Sequence, residues 1–220
     1  MKLDLHIHSC HSRDASASPI EIVRKCKSLG LGGLAITDHN ELKGSLEAFA
    51  VAREEGVLVV RGVEVSAVEG HVLALGVANP IARGMAISET VAKIRAEGGV
   101  AIAAHPDRYP SGIGVKAAKD LEFDAIEVLN GGSSRRANAR ARVAAEWKKI
   151  AVIGGSDAHG IDQVGKAWTV VDDASSEDDV IQAIRKGQCS VGGRSRTVGE
   201  GVRYSLETFV EWLRGDMRRL

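Results

Sequence analysis

Short apolar runs rich in Val and Ile alternate along the chain with helix-length stretches whose apolar residues recur every three to four positions. The runs predict strands near 2–8, 33–37, 57–65, 71–77, 100–104, 124–129, 151–155, 167–171 and 188–191. Between them the first helix has a clear start: Ser18 can cap it, Pro19 suits its first position, and Glu21 completes a capping box before Ile22, Val23 and Cys26. It closes at Gly30, and further helices are expected over 41–55 closing at Gly56, 88–97 closing at Gly98, 133–148, and 176–186 closing at Gly187. Strand and helix in alternation are the signature of βαβ units around a parallel sheet. The closing stretch "YSLETFVEWLRGDMRRL" puts Leu206, Phe209, Val210, Leu213, Met217 and Leu220 on one helical face, as expected of a last helix packed on the body; a membrane or partner helix is the alternative.

The first strand, "DLHIHS", departs from the apolar pattern. Successive side chains point to opposite faces, so Leu3, Leu5 and Ile7 share one face while Asp4, His6 and His8 share the other. Unpaired buried polar atoms cost about 1–3 kcal/mol each, so this polar face needs partners, and a metal ion is one.

Composition narrows the setting. With 220 residues, 44% of them hydrophobic, the chain can bury one sizeable core, as in a single α/β barrel or a doubly wound sheet. Lys plus Arg equals Asp plus Glu at 29 each, so no global field draws it to nucleic acid or to an anionic membrane. Residues 131–220 are mildly basic, with 15 basic and 12 acidic side chains. Three cysteines at unrelated spacings (Cys10, Cys26, Cys189) suit a reducing compartment without disulfides. No apolar run approaches the roughly 18 residues that span a bilayer, and strand-like sequence begins at residue 2, so a cytoplasmic protein without a signal peptide is expected. Cys10 is read as a small buried hydrophobe rather than a ligand, and His11 as a surface residue.

Further histidines and carboxylates fall at strand ends: His39 in "AITDHN", Glu64 in "LVVRGVEVS", His105 in "VAIAAHPD", and Asp157 and His159 in "AVIGGSDAH", while His71 opens the strand in "GHVLALGV". One such histidine is ordinarily a core or rim residue, but parallel strands open their C-terminal ends on one face, so these residues should converge there. With His6, His8 and Asp14 they make nine nitrogen and oxygen ligands, enough for more than one ion at about four ligands each. Mixed imidazole and carboxylate donors suit Zn, Mn or Fe in a catalytic rather than a closed structural site.

Seven motifs, "DLHIHS", "TDHN", "GVEVS", "GHVLALG", "AHP", "IEVLNG" and "GSDAH", resemble in order and spacing those of the PHP (polymerase and histidinol phosphatase) domain phosphoesterases. The opening His-x-His alone would also fit amidohydrolases; the seven together are specific. The resemblance covers roughly residues 1–193 and implies a single α/β domain, a distorted TIM-barrel-like (β/α)7 barrel, with 194–220 as a C-terminal extension. It further implies about three divalent ions per chain at the strand C-termini. His6, His8, Glu64 and Asp157 would hold the first; Glu64 would bridge to a second completed by His71 and His105; Asp14, His39 and His159 would take the third. Asp38 and Asn40 flank a ligand and are expected to orient it or to cap a helix, and Glu127 and Asn130 also face the site.

Such a centre lowers the pKa of a bound water and neutralises charge on phosphoryl oxygens, which implies phosphate-ester hydrolysis by a metal-activated hydroxide without a covalent enzyme intermediate. Glu64, Asp157 and His159 are the candidate catalytic residues. Phosphate attracts guanidinium, so Arg108 beyond "HP" and Arg135 after "NGGSS" rank first as substrate contacts beside Asn130, with Arg136, Arg194 and Arg196 behind them. Only 33 residues separate His71 from His105, leaving a small cap or none. A small phosphorylated molecule is the expected substrate: aromatic residues, at 4%, are few for gripping single strands by stacking. A nuclease acting on nucleic-acid ends, or a non-catalytic metal-binding module, is the alternative.

Overall fold

The computed structural model describes residues 1–203; the amphipathic stretch expected from Tyr204 onward lies outside the described residues. The chain runs β1 (Lys2–Ile7), α1 (Pro19–Ser28), β2 (Gly33–Ile36), α2 (Lys43–Glu55), β3 (Leu58–Val59), β4 (Gly62–Ser66), β5 (His71–Leu75) and α3 (Ile87–Ala96). It continues β6 (Val100–Ala103), α4 (Val115–Asp120), β7 (Ala125–Asn130), α5 (Arg135–Lys148), β8 (Ala151–Gly155), β9 (Ala167–Val171), α6 (Glu177–Arg185) and β10 (Cys189–Gly193).

Local chemistry accounts for the helix starts. At α1 Glu21 N–H donates to Ser18 Oγ at 3.4 Å while Ser18 N–H donates to Glu21 Oε2 at 2.8 Å, a reciprocal capping box. The fully buried Ile22, Val23 and Cys26 then seat the helix on the sheet, each aliphatic side chain contributing about 1.5–3 kcal/mol of burial. Ser176 caps α6 with the same reciprocal box, through Asp179, and Ser134 caps α5 by accepting from Ala137 N–H alone.

The strands form two five-stranded mixed sheets, β10-β9-β1-β2-β3 and β4-β5-β6-β7-β8. The α/β architecture is as expected; among the described residues the two ladders do not close into one, and single bridges, Ile7 to Ala158 and His39 to Glu64, join their edges. The expected parallel sheet is corrected: β9 runs antiparallel to β1 and β10, and β5 antiparallel to β4 and β6. The apolar run 57–65, expected as one strand, divides into β3, paired with β2, and β4, paired with β5. At the break Arg61 turns its backbone N–H to Glu177 Oε1 at 2.7 Å. Apolarity continues through the change of partner, so periodicity does not register it. The six-residue α4 was likewise too short to show a helical period.

Between the sheets lies a cluster that includes Leu3, Leu5, Leu73, Leu75, Ile102 and Ile153, closed by α6. Helices α1 and α2 cover the outer side of the first sheet, and α3 and α5 that of the second. The 33 residues between His71 and His105 thus fold into framework, with α3 packed on β5 and β6. Both faces of β1 are buried, so Asp4, His6 and His8 sit on a second interior surface that is polar. Sheet contact is close there: a Cβ on Gly155 would stand 2.4 Å from His6 Cβ, so only glycine lets β8 lie against β1 at the ligand strand.

Candidate metal centre

All nine candidate ligands come together at one end of the two sheets. His6 and His8 leave the end of β1, His39 follows β2, Glu64 lies in β4, His105 follows β6, and Asp157 and His159 follow β8. His71 stands at the start of β5 yet reaches the same end, because β5 runs antiparallel and pairs His71 with Ser66. Asp14 arrives on the loop after β1, its Oδ2 3.1 Å from His159 Nε2 and 3.6 Å from His39 Nε2.

Glu64 is the hub. Its Oε1 lies 3.1 Å from His71 Nδ1 and 2.9 Å from His105 Nε2, and its Oε2 lies 3.5, 3.4 and 3.1 Å from His6 Nε2, His8 Nε2 and His39 Nδ1. Asp157 Oδ1 closes the other side, 3.5 Å from His6 Nε2 and 3.3 Å from His8 Nε2, which themselves lie 3.3 Å apart. Donor atoms held about 2.0–2.2 Å from a tetrahedral ion stand roughly 3.3–3.6 Å from one another. Five separations among His6, His8, Glu64 and Asp157 fall in that range. Glu64 Oε2, His39 Nδ1 and Asp14 Oδ1 are buried with no hydrogen-bond partner, a costly state for polar atoms that a cation relieves. The donor set fits divalent metal.

Electrostatics give the same picture. Burial opposes charge on His6, but Glu127, Asp157 and Glu64 outweigh it and hold the imidazole well above its usual pKa. His39, with burial outweighed by Glu64 and Asp14, is raised to about 10. Glu64 and Asp157 stay ionised despite burial, the first through His71, His6 and His39 and the second through Arg108 and His6. His8 is driven down to about 3 by burial and by His159. Metal must therefore displace protons from His6 and His39. Because both pKa values are raised, proton competition weakens as pH rises toward them, so apparent metal affinity should climb about tenfold per pH unit for each proton displaced. Chelator-competition titrations at pH 6.5, 7.5 and 8.5 check this; a flat profile would show both rings neutral before the metal arrives.

Supporting groups fix the ligands. Glu127 accepts from His105 N–H at 2.8 Å and from Asn130 Nδ2 at 3.0 Å, and lies 3.0 Å from His6 Nδ1. His105 and Asp157 have φ of 26° and 51°, a region that costs non-glycine residues about 1–3 kcal/mol. The Glu127 bond to His105 and the Asp157 N–H bond to His6 O at 2.7 Å hold these strained turns. Removing one such oxygen while keeping shape, as in Glu127→Gln, should weaken metal binding 10- to 100-fold. Equilibrium dialysis measures it, and unchanged affinity would reduce Glu127 to packing.

Other polar residues take places that the sequence did not disclose. Ser12 Oγ accepts from His39 N–H at 2.9 Å and lies 3.3 Å from His8 Nδ1, with no motif to mark it. Asp4 shares the His6 and His8 face but stands deeper, accepting from Ser156 and Gly165 N–H at 2.8 Å each; burial raises its pKa to about 6. Asp38 grips Ser9 through N–H and hydroxyl at 2.6 and 2.7 Å. Asn40 exchanges hydrogen bonds with Ser66 rather than capping α2, whose N-cap is Leu42. Arg108 forms an ion pair with Asp157 Oδ2, and Asn130 Nδ2 donates to the same oxygen at 3.1 Å. Arg135 is exposed, outside the cluster, at the first position of α5. Cys10 is exposed on the rim loop, not the buried hydrophobe expected, and His11 is partly buried against Glu47 at 3.1 Å.

The PHP domain matches residues 4–91 and the PHP-associated region residues 135–189. An uncharacterized protein of Methanocaldococcus jannaschii is 36% identical over 141 residues, 59% of this chain and 82% of that protein. A 3′,5′-nucleoside bisphosphate phosphatase of Chromobacterium violaceum is 35% identical over 79 residues, 34% of this chain; the chain spans 27% of that enzyme's length. A two-domain protein from Bacteroides vulgatus, described as containing a predicted PHP-like metal-dependent phosphoesterase, shares the fold with a TM-score of 0.75 at 19% identity, covering 88% of this chain and 65% of that one. Motifs, fold and sequence relatives agree that the chain belongs to the PHP domain family.

Proposed function

We propose that this protein hydrolyses a phosphate ester, on a small phosphomonoester or nucleotide, at a centre of about three divalent ions drawn from Zn, Mn or Fe. The observation that carries the reading is the convergence of five imidazoles on the two oxygens of one buried carboxylate, Glu64. When bound, the ions supply a water of lowered pKa and positive charge for the phosphoryl oxygens. His6, His8, Glu64 and Asp157 form the innermost holding set, and His71 and His105 extend it through Glu64 Oε1. Asp14, His39, His71 and His159, with side chains 16%, 28%, 20% and 22% exposed, are its solvent-facing part, and of these Asp14, His39 and His159 stand together to meet the substrate.

Arg108 and Asn130 both touch Asp157, so they orient phosphate beside the carboxylates; Arg135, exposed outside the cluster at the start of α5, is an outer contact for the anion. No cap among the described residues closes this mouth. The bisphosphate phosphatase relative supports a phosphate monoester as substrate. No helix among the described residues is long and apolar enough to cross a membrane. The test is metal analysis of protein purified without chelator, with phosphate release from nucleotides, sugar phosphates and histidinol phosphate measured before and after metal stripping. Metal-dependent release from at least one substrate is expected; metal-loaded protein inert on the whole panel would favour a non-catalytic module.

A further inference from the structure

Asn130, the last residue of β7, carries a side-chain amide whose hydrogens are both committed to the metal centre. Its Nδ2 donates to Glu127 Oε2 at 3.0 Å and to Asp157 Oδ2 at 3.1 Å, while its Oδ1 accepts from Gly132 N–H at 2.9 Å. The amide thereby sets a ligand, Asp157, against the carboxylate that orients His6 and His105. Its own sheet does not hold it there. Gly131 N–H donates to Gly155 O of β8 at 2.9 Å, so by alternation the N–H and C=O of Asn130 point away from β8. On that other side β6 pairs with β7 only as far as Ile126.

The buried Asn138 of α5 takes the place of the missing strand. Its Oδ1 accepts from Asn130 N–H at 3.1 Å and its Nδ2 donates to Asn130 O at 2.9 Å, the two bonds a neighbouring backbone would make. The second Nδ2 hydrogen goes to Ser195 Oγ at 2.9 Å. Reversing the amide would set nitrogen against N–H and oxygen against C=O, so the partners fix its orientation. Ser195 follows β10 in a stretch held on both sides: Arg194 N–H donates to Lys166 O at 2.8 Å and Arg196 N–H to Ser133 O at 2.9 Å. The rest of the buried face of α5 is alanine, Ala137, Ala141, Ala144 and Ala145. A polar side chain among them costs desolvation that packing alone would not require, and here its bonds to Asn130 and Ser195 offset it.

We infer that Asn138 is a positioning residue of the metal centre: it holds the end of β7 so that Asn130 divides its amide between Glu127 and Asp157, and Ser195 locks Asn138 in place. The stretch after β10, which the family resemblance sets outside the barrel, thereby supports the centre. This rests on the metal centre of the reading above and not on its substrate. The probe is cobalt(II), its affinity for the full chain measured by chelator competition and its visible absorption reporting ligand geometry. Asn138→Leu keeps the branched shape without the amide and should weaken binding about tenfold or more and shift the cobalt spectrum. In an Asn130→Ala background the same substitution should add less than about twofold, because the residue it acts through is gone. Ser195→Ala, at a partly buried position outside α5, should weaken binding about threefold, again only while Asn130 is present. It carries the test if Asn138→Leu fails to fold by far-UV circular dichroism. Wild-type affinity in both variants, or effects that add in full to that of Asn130→Ala, overturns the inference. Cobalt bound by a wild-type chain that releases no phosphate from any substrate leaves the inference standing and removes the phosphoesterase reading; a wild-type chain that binds no cobalt removes both.

Discussion

Glu64→Gln is expected to lower kcat/KM for phosphate release by about a thousandfold or more while leaving the fold intact. The carboxylate lies between His6, His8, His39, His71 and His105, and each of its oxygens faces at least two imidazole nitrogens. Glutamine keeps the volume, so β4 stays seated and far-UV circular dichroism should match wild type. One oxygen becomes an NH2 group, which donates and does not ligate, so one side of the hub loses its hold on metal. The excess negative charge that draws divalent ions between five rings also disappears. Metal content should therefore fall with activity, by inductively coupled plasma analysis of the dialysed variant. Near-normal turnover would mean that the ions, if present, do not share this residue.

Arg108→Ala should cost about 10- to 150-fold in kcat/KM, the value of a charge-assisted bond of roughly 1.5–3 kcal/mol to a phosphate oxygen. The side chain is only 22% exposed and its guanidinium meets Asp157 Oδ2, so it is no freely solvated arginine. Metal content should hold, because Asn130 Nδ2 still donates to that oxygen at 3.1 Å. Arg108→Lys keeps the charge without the fork and should recover only part of the loss. Activity and metal lost together would show that Arg108 serves Asp157 rather than substrate, and a loss below about threefold would return it to the surface.

Much of this protein was legible from spacing alone. The capping box at Ser18 and Glu21, the glycine at position 56 that closes α2 with φ of 68°, and the polar face of β1 each depend on residues within about four positions. The ligand chemistry was legible for the same reason: histidines and carboxylates stand beside strand ends whatever the sheet order. Less was visible where identity of partner mattered. The run 57–65 is apolar throughout, yet Leu58 pairs with Gly33 and Glu64 with Leu73, in different sheets. His71 was placed at a strand start among residues at strand ends, and only the antiparallel sense of β5 reconciles the two.

The sequence by itself determined the alternation of elements, the caps, the buried polar strand and the donor types available for metal, because these follow from backbone periodicity and side-chain chemistry over short range. Tertiary structure decided that the strands divide into two sheets, that five imidazoles meet at the one carboxylate of Glu64, and that Ser12 and Asp4 stand behind the ligands. It also turned Arg108 inward and Arg135 and Trp147 outward. The physical reason is distance along the chain: His105 meets Glu64 across 41 residues and His6 meets Glu127 across 121. No local pattern encodes such contacts, which arise only when packing of the apolar faces brings the polar ones to the same end of the sheets.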